Sequence, residues 1–154
     1  MSGERKAFRF IESSFEEREP RFSPDAKWIA YHSNESGRFE VYVRPFAGRP
    51  ADPGGKIQIS EHGGYYATWS RDGKALFFVS ADSKLYQVPV AGLGSSKPLP
   101  DPLPLFTVCP GNAPTGAATQ GRQFDIAPDL KFLFLCKSQY DDTNSVIVNW
   151  RAGK

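Results

Sequence analysis

The sequence predicts an all-β fold of repeated short antiparallel sheets, and three observations carry the prediction. First, a turn motif recurs: Phe22-Ser23-Pro24-Asp25-Ala26-Lys27-Trp28, then Trp69-Ser70-Arg71-Asp72-Gly73-Lys74-Ala75, then a looser Ile126-Ala127-Pro128-Asp129-Leu130-Lys131-Phe132. The copies start 47 and then 57 residues apart, a period that marks stacked structural repeats. Second, each copy is followed at similar spacing by a run suited to a pleated, half-buried surface: residues 39–43, 85–88 and 146–150. Third, no long window shows a helical stripe.

Each turn has its own logic. An apolar residue ends one strand, a Ser/Pro/Asp/Gly cluster reverses the chain, and Lys with an apolar run opens the next strand. Pro presets φ, Asp bonds back to its own backbone, and Gly takes the left-handed position. Only the middle copy keeps that glycine, Gly73; Ala26 and Leu130 stand in the equivalent place. A left-handed conformation there costs roughly 1–2 kcal/mol, so those turns either relax or carry strain. Turn formers also fill the next connections, at 33–37, 81–83 and 139–144.

Short apolar-centred strands at 57–60 and 105–108 complete the first two units, and residues 8–11 have the same look. Four short antiparallel strands per unit is the make-up of a β-propeller blade. The expected blades span about 16–60, 61–108 and 120–150, with strand 8–11 completing the last one in a ring. Propellers have roughly four to eight blades, so three cannot close a ring. Two copies of the chain would make six, and a homodimer, or docking onto a missing half-propeller, is the expected partnership.

The Phe-Ser-Pro-Asp and Trp-Ser-Arg-Asp-Gly motifs resemble the WD-like repeats of TolB-type six-bladed β-propellers. The stretch 28–46 and the ending Val146-Ile147-Val148-Asn149-Trp150 resemble propellers found C-terminal to bacterial serine/threonine protein kinases. The resemblance covers residues 8–150 and implies half of such a propeller, the last three blades of six. It is specific for fold and nonspecific for function; nothing here resembles the kinase itself.

Composition suits one domain with a sizeable core: 154 residues, 40% hydrophobic and 14% aromatic. The Pro/Gly-rich stretches 45–55 and 92–104 read as loops, and 112–121 as a polar insertion that stretches the second spacing. Net charge is +2, from 19 basic and 17 acidic residues mixed along the chain. No basic run stands out, which excludes an electrostatic footprint for nucleic acid. No stretch is long enough to span a membrane and no signal peptide opens the chain, so it reads as soluble, with its compartment open.

Cys109 and Cys136 have no metal spacing, and Cys136 reads as a small core residue. No Gly-x-Ser-x-Gly, phosphate-binding loop or His-Glu-x-x-His is present. Ser70 before Arg71-Asp72 reads as a turn residue, and His32 as a hydrogen-bonded structural histidine. Asn34-Glu35-Ser36 and Asp141-Asp142-Thr143-Asn144 read as turns, the second in preference to a calcium loop. The expectations are therefore no enzyme, no cofactor and no metal.

Function is expected on loops that join an outer strand to the next inner strand: 13–19, 61–66 and 109–122. Candidate ligand-binding residues are His62, Tyr65 and Tyr66, beside a flexible Gly63-Gly64 pair, together with Arg18 and Glu19. The function expected is a noncatalytic module that recognises a protein or small ligand on this face. The alternative is the propeller fragment of a larger enzyme, a kinase sensor region or a prolyl-oligopeptidase-type gating domain.

Overall fold

The computed structural model describes residues 7–51, 55–108, 124–137 and 144–150. All eleven elements described are strands, in three antiparallel sheets. The first runs in the order β1 (Glu17–Phe22), β2 (Trp28–Ser33), β3 (Glu40–Pro45), β4 (Ile57–Gln58). The second repeats it with β5 (Gly64–Trp69), β6 (Ala75–Ser80), β7 (Lys84–Pro89) and β8 (Leu103–Thr107). The third comprises β9 (Phe124–Ile126), β10 (Phe132–Lys137) and β11 (Asn144–Trp150).

The first two hairpins are superimposable in register. Phe22 pairs with Ile29 and Trp69 with Leu76. In each turn the serine hydroxyl accepts the amide that opens the next strand, Trp28 on Ser23 at 3.0 Å and Ala75 on Ser70 at 2.9 Å. The same hydroxyls donate to Asp25 and Asp72, whose carboxyls are thereby held below their usual range. Ser70 is thus a turn residue. The turns keep their left-handed corner without glycine: φ is 55° at Ala26 and 59° at Leu130, against 69° at Gly73.

Both inner strands also carry the same bulge. β1 shifts register between Arg18 and Arg21, β5 between Tyr65 and Thr68. The extra residues, Glu19 and Tyr66, are left-handed at φ 52° and 56°. A bulge of this kind bends the strand and re-aims its side chains.

One core fills the space between the first two sheets: Ala30, Val41 and Val43 meet Leu76, Phe78 and Val88. A second lies between the second and third sheets, where Phe77 and Leu85 meet Phe124 and Phe132. Alternation along β6 feeds both, so the central strand is buried on both faces.

The third hairpin departs from the repeat by one residue. Ile126 pairs with Phe132, where the repeat would place Leu133. Ala127 replaces the turn serine, no hydroxyl holds the wider loop, and the Ala127 amide closes onto Lys131 O at 2.8 Å. In the first two turns the matching bond reaches one residue further, from Ser23 to Trp28 and from Ser70 to Ala75. A one-residue slip moves a strand's whole side-chain set to the other face. Phe132 and Phe134 accordingly face the second sheet, and Leu133 and Leu135 are exposed.

Residues 8–11 form no strand in the single chain. They cross the outward face of the first sheet, where Phe10 and Ile11 pack near Ile29, Tyr31 and Tyr42. Phe8, Phe10 and Phe22 all contact the Phe46 ring. One backbone bond, Ala51 N–H to Phe10 O at 2.8 Å, ties the segment to the loop after β3. Phe46 thus offers a shared apolar surface to the three rings.

Candidate functional site

The site grows from the ends of strands in the first two sheets. His32 lies one residue from the end of β2 and pairs in register with Arg18 of β1. Its ring contacts Phe39 at 5.3 Å, Tyr65 at 5.7 Å and Tyr66 at 6.0 Å between centroids. Phe39 and Tyr65 are themselves 6.0 Å apart. The Arg18 guanidinium lies over the Phe39 ring, 5.0 Å from its centroid, close enough for cation–π attraction. Its Nε donates to Glu16 at 2.8 Å.

His32 is 3% exposed, and its Nδ1 has no hydrogen-bond partner among the described residues. Burial, with the Arg18 charge adding to it, lowers its pKa from 6.5 to about 4, against a weaker upward pull from Glu16. The imidazole is therefore neutral at physiological pH. The Tyr65 hydroxyl is pushed above its usual pKa by burial and by the negative charge of Glu40. The cluster thus presents aromatic faces, one cation and an uncharged imidazole, which suits recognition of a ring bearing a negative group.

Glu40 organises the floor. It is 1% exposed, accepts from the Ser60 hydroxyl and the Gly63 amide, the latter at 2.8 Å, and faces Arg38 Nε at 3.6 Å. Ser60 in turn accepts the Val41 amide at 2.8 Å. This latch ties the loop after β4 to β3. The Gly63-Gly64 pair, expected to be flexible, is instead clamped. A Cβ on Gly64 would lie 2.3 Å from Ser60 Oγ, and one on Gly63 would lie 2.7 Å from Ala81 Cβ.

Of the five candidate residues, the structure brings three together: Arg18, Tyr65 and Tyr66. They sit on β1 and β5 rather than on loops, with pairing on both sides of the bulges at Glu19 and Tyr66. Glu19 turns to Arg21, at 2.7 Å, and stays out of the cluster. His62 is exposed and lines a separate cavity of about 520 Å³ with Glu61, Tyr86 and Asp101. His32 and Phe39 complete the cluster and were not among the candidate residues. A histidine inside an apolar strand run was the signal for the first; Phe39 carried none. His32 was expected to be hydrogen-bonded, whereas ring contacts surround it. No metal-binding cluster occurs among the described residues; Cys109 and 141–143 lie outside them, as does the structural setting of Cys136.

No protein-family profile matches the chain, and no curated protein matches it. Solved structures do. TolB from Acinetobacter baumannii matches with a TM-score of 0.61 and 17% identity, over 94% of this chain and 32% of that one. An oligogalacturonate lyase from Vibrio parahaemolyticus matches with 0.52 and 15%, over 82% and 31%. A protein described as a 6-phosphogluconolactonase from Bacteroides uniformis matches with 0.53 and 18%, over 90% and 42%. The chain spans about a third of the length of the first two.

The presence of a lyase and a lactonase corrects the expectation that the chain is not an enzyme. That expectation rested on missing contiguous motifs, and this fold carries catalysis in other proteins; a fold does not decide chemistry, the site does. What the likeness establishes is the architecture: the chain is an all-β stretch of a TolB-like β-propeller.

Proposed function

We infer that the cluster of Arg18, His32, Phe39 and Tyr65 is the ligand site of this propeller stretch, and that it takes a small acidic sugar or similar anionic ring. The observation that carries the reading is the Arg18 guanidinium lying over Phe39, beside a buried imidazole with an unpartnered nitrogen. Sugar C–H faces pack on aromatic rings, and a carboxylate exchanges with the exposed Glu16 for the guanidinium. Two proteins of the same fold are named for acidic sugar substrates, an oligogalacturonate and a phosphogluconolactone. If the propeller serves as the sensor region of a kinase, as the resemblance of 28–46 suggests, this cluster is its sensing end.

Calorimetric titration with D-galacturonate, and with neutral D-galactose as control, tests the reading. Galacturonate binding that weakens at least about tenfold in Arg18→Gln and in Tyr65→Ala is the expected result. Equal binding of the two sugars, or no loss in either variant, overturns it.

A further inference from the structure

We propose that the third hairpin has a second register, the one used by the first two, and that this register builds a docking face for the first sheet of a second copy of this chain.

Repeat positions define which way each side chain should point. Within β6, Leu76 and Phe78 face the first sheet, and Phe77 faces the third. Their equivalents in β10 are Leu133, Leu135 and Phe134, so the repeat would turn the leucines inward and the phenylalanines outward. The structure shows the reverse, with both leucines 41% exposed. β9 does not share the reversal: Phe124 and Ile126 face the second sheet, as Ala67 and Trp69 face the first. Between β9 and β10, the slip therefore lies in β10 and its turn.

The physical cause has two parts. Ala127 lacks the hydroxyl that holds the wider turn at Ser23 and Ser70. In addition, with only one face of β10 covered, the bulkier pair takes it, stacking on Phe124 and edge-on to Phe77. A sheet docked on the outer face removes the second reason, because both pairs are then buried. The choice of register then passes to the fit of the outward-facing pair against the docked surface.

A second copy supplies the matching surface. The outward face of the first sheet carries Ile29 and Tyr31, the equivalents of Leu76 and Phe78, which receive the preceding sheet inside the chain. Here Phe10 and Ile11 of the same chain cover them, so docking displaces that segment. An apolar cavity of about 520 Å³ lies there, lined by Phe22, Ile29, Tyr31 and Phe46 and roofed by residues 7–11. Two phenylalanine rings fill such a space better than two leucines. Phe22 is 55% exposed on this face. With residues 7–11 displaced, the contact so formed repeats the one between the first and second sheets, with the same sides meeting.

Single-cysteine variants Leu133→Cys and Phe134→Cys, in a background with Cys109 and Cys136 replaced, read the register by maleimide labelling. In dilute protein Leu133→Cys should label at least about tenfold faster than Phe134→Cys, with the second register a minor state. Adding Ala127→Ser should slow labelling at position 133, hasten it at 134, and raise the mass by light scattering from 17.1 kDa to twice that value. If Phe134→Cys fails to fold, the slowing at position 133 alone carries the test. Unchanged labelling in the Ala127→Ser background overturns the second register. Reversed labelling with the mass still at 17.1 kDa overturns the second copy as occupant.

Discussion

Ser70 Oγ accepts the Ala75 amide hydrogen at 2.9 Å, and Ala75 is buried between the second and third sheets. Removing the hydroxyl leaves that amide without its side-chain acceptor. Ser70→Ala should therefore cost roughly 1–3 kcal/mol, read as a lower urea midpoint with an unchanged slope. The variant also places alanine where the third hairpin has Ala127, so its β5–β6 pairing should loosen.

The left-handed corners give a prediction of the opposite sign. Ala26 is held at φ 55° at the place where the second turn has Gly73. Ala26→Gly relieves backbone strain but frees the unfolded chain, and the net gain should be about 0.5–1 kcal/mol. Gly73→Ala should lose a similar amount. Chemical denaturation of the two variants side by side checks both signs.

Gly64 is fixed by close approach instead of by its dihedral angle. Its missing Cβ would lie 2.3 Å from Ser60 Oγ and 3.0 Å from Val41 Cγ2. Gly64→Ala must therefore displace the serine that holds Glu40. A loss of about 1–3 kcal/mol from overpacking is expected, with weaker binding at the neighbouring Tyr65.

Acid should weaken the fold through His32. Its pKa of about 4 when folded lies below the 6.5 of the exposed group, so the unfolded chain takes up the proton first. The contribution is complete above pH 6.5 and is lost as pH falls through 4, an effect of roughly 3 kcal/mol. His32→Phe should flatten the stability profile across this window. The turn carboxylates Asp25, Asp72 and Asp129 are held below 3.8, so their share is lost only in more acid solution.

Local chemistry made the sheets legible. Turn residues at a fixed spacing and β-branched or aromatic runs between them place the strands from Trp28 to Thr107 nearly as the chain folds. Bulges were less accessible, since nothing in Arg18-Glu19 or Tyr65-Tyr66 taken alone distinguishes a prolonged strand from a loop. Their 47-residue offset, the same as that of the turns, was the available clue. The slip in the third hairpin turns on one missing hydroxyl, at Ala127, visible in the sequence but meaningful only once Ser23 and Ser70 are seen holding amides. The site itself was half legible. Arg18 and Tyr65 of the proposed cluster were candidates by position, but His32 and Phe39 join them only through packing between two sheets.

The chain has two histidines, His32 and His62, which makes imidazole NMR the most direct test of the ligand site. Titrated with D-galacturonate, the His32 resonances should move and those of His62 should stay. Movement of His62 alone, or of neither, would contradict a ligand site at the Arg18 cluster.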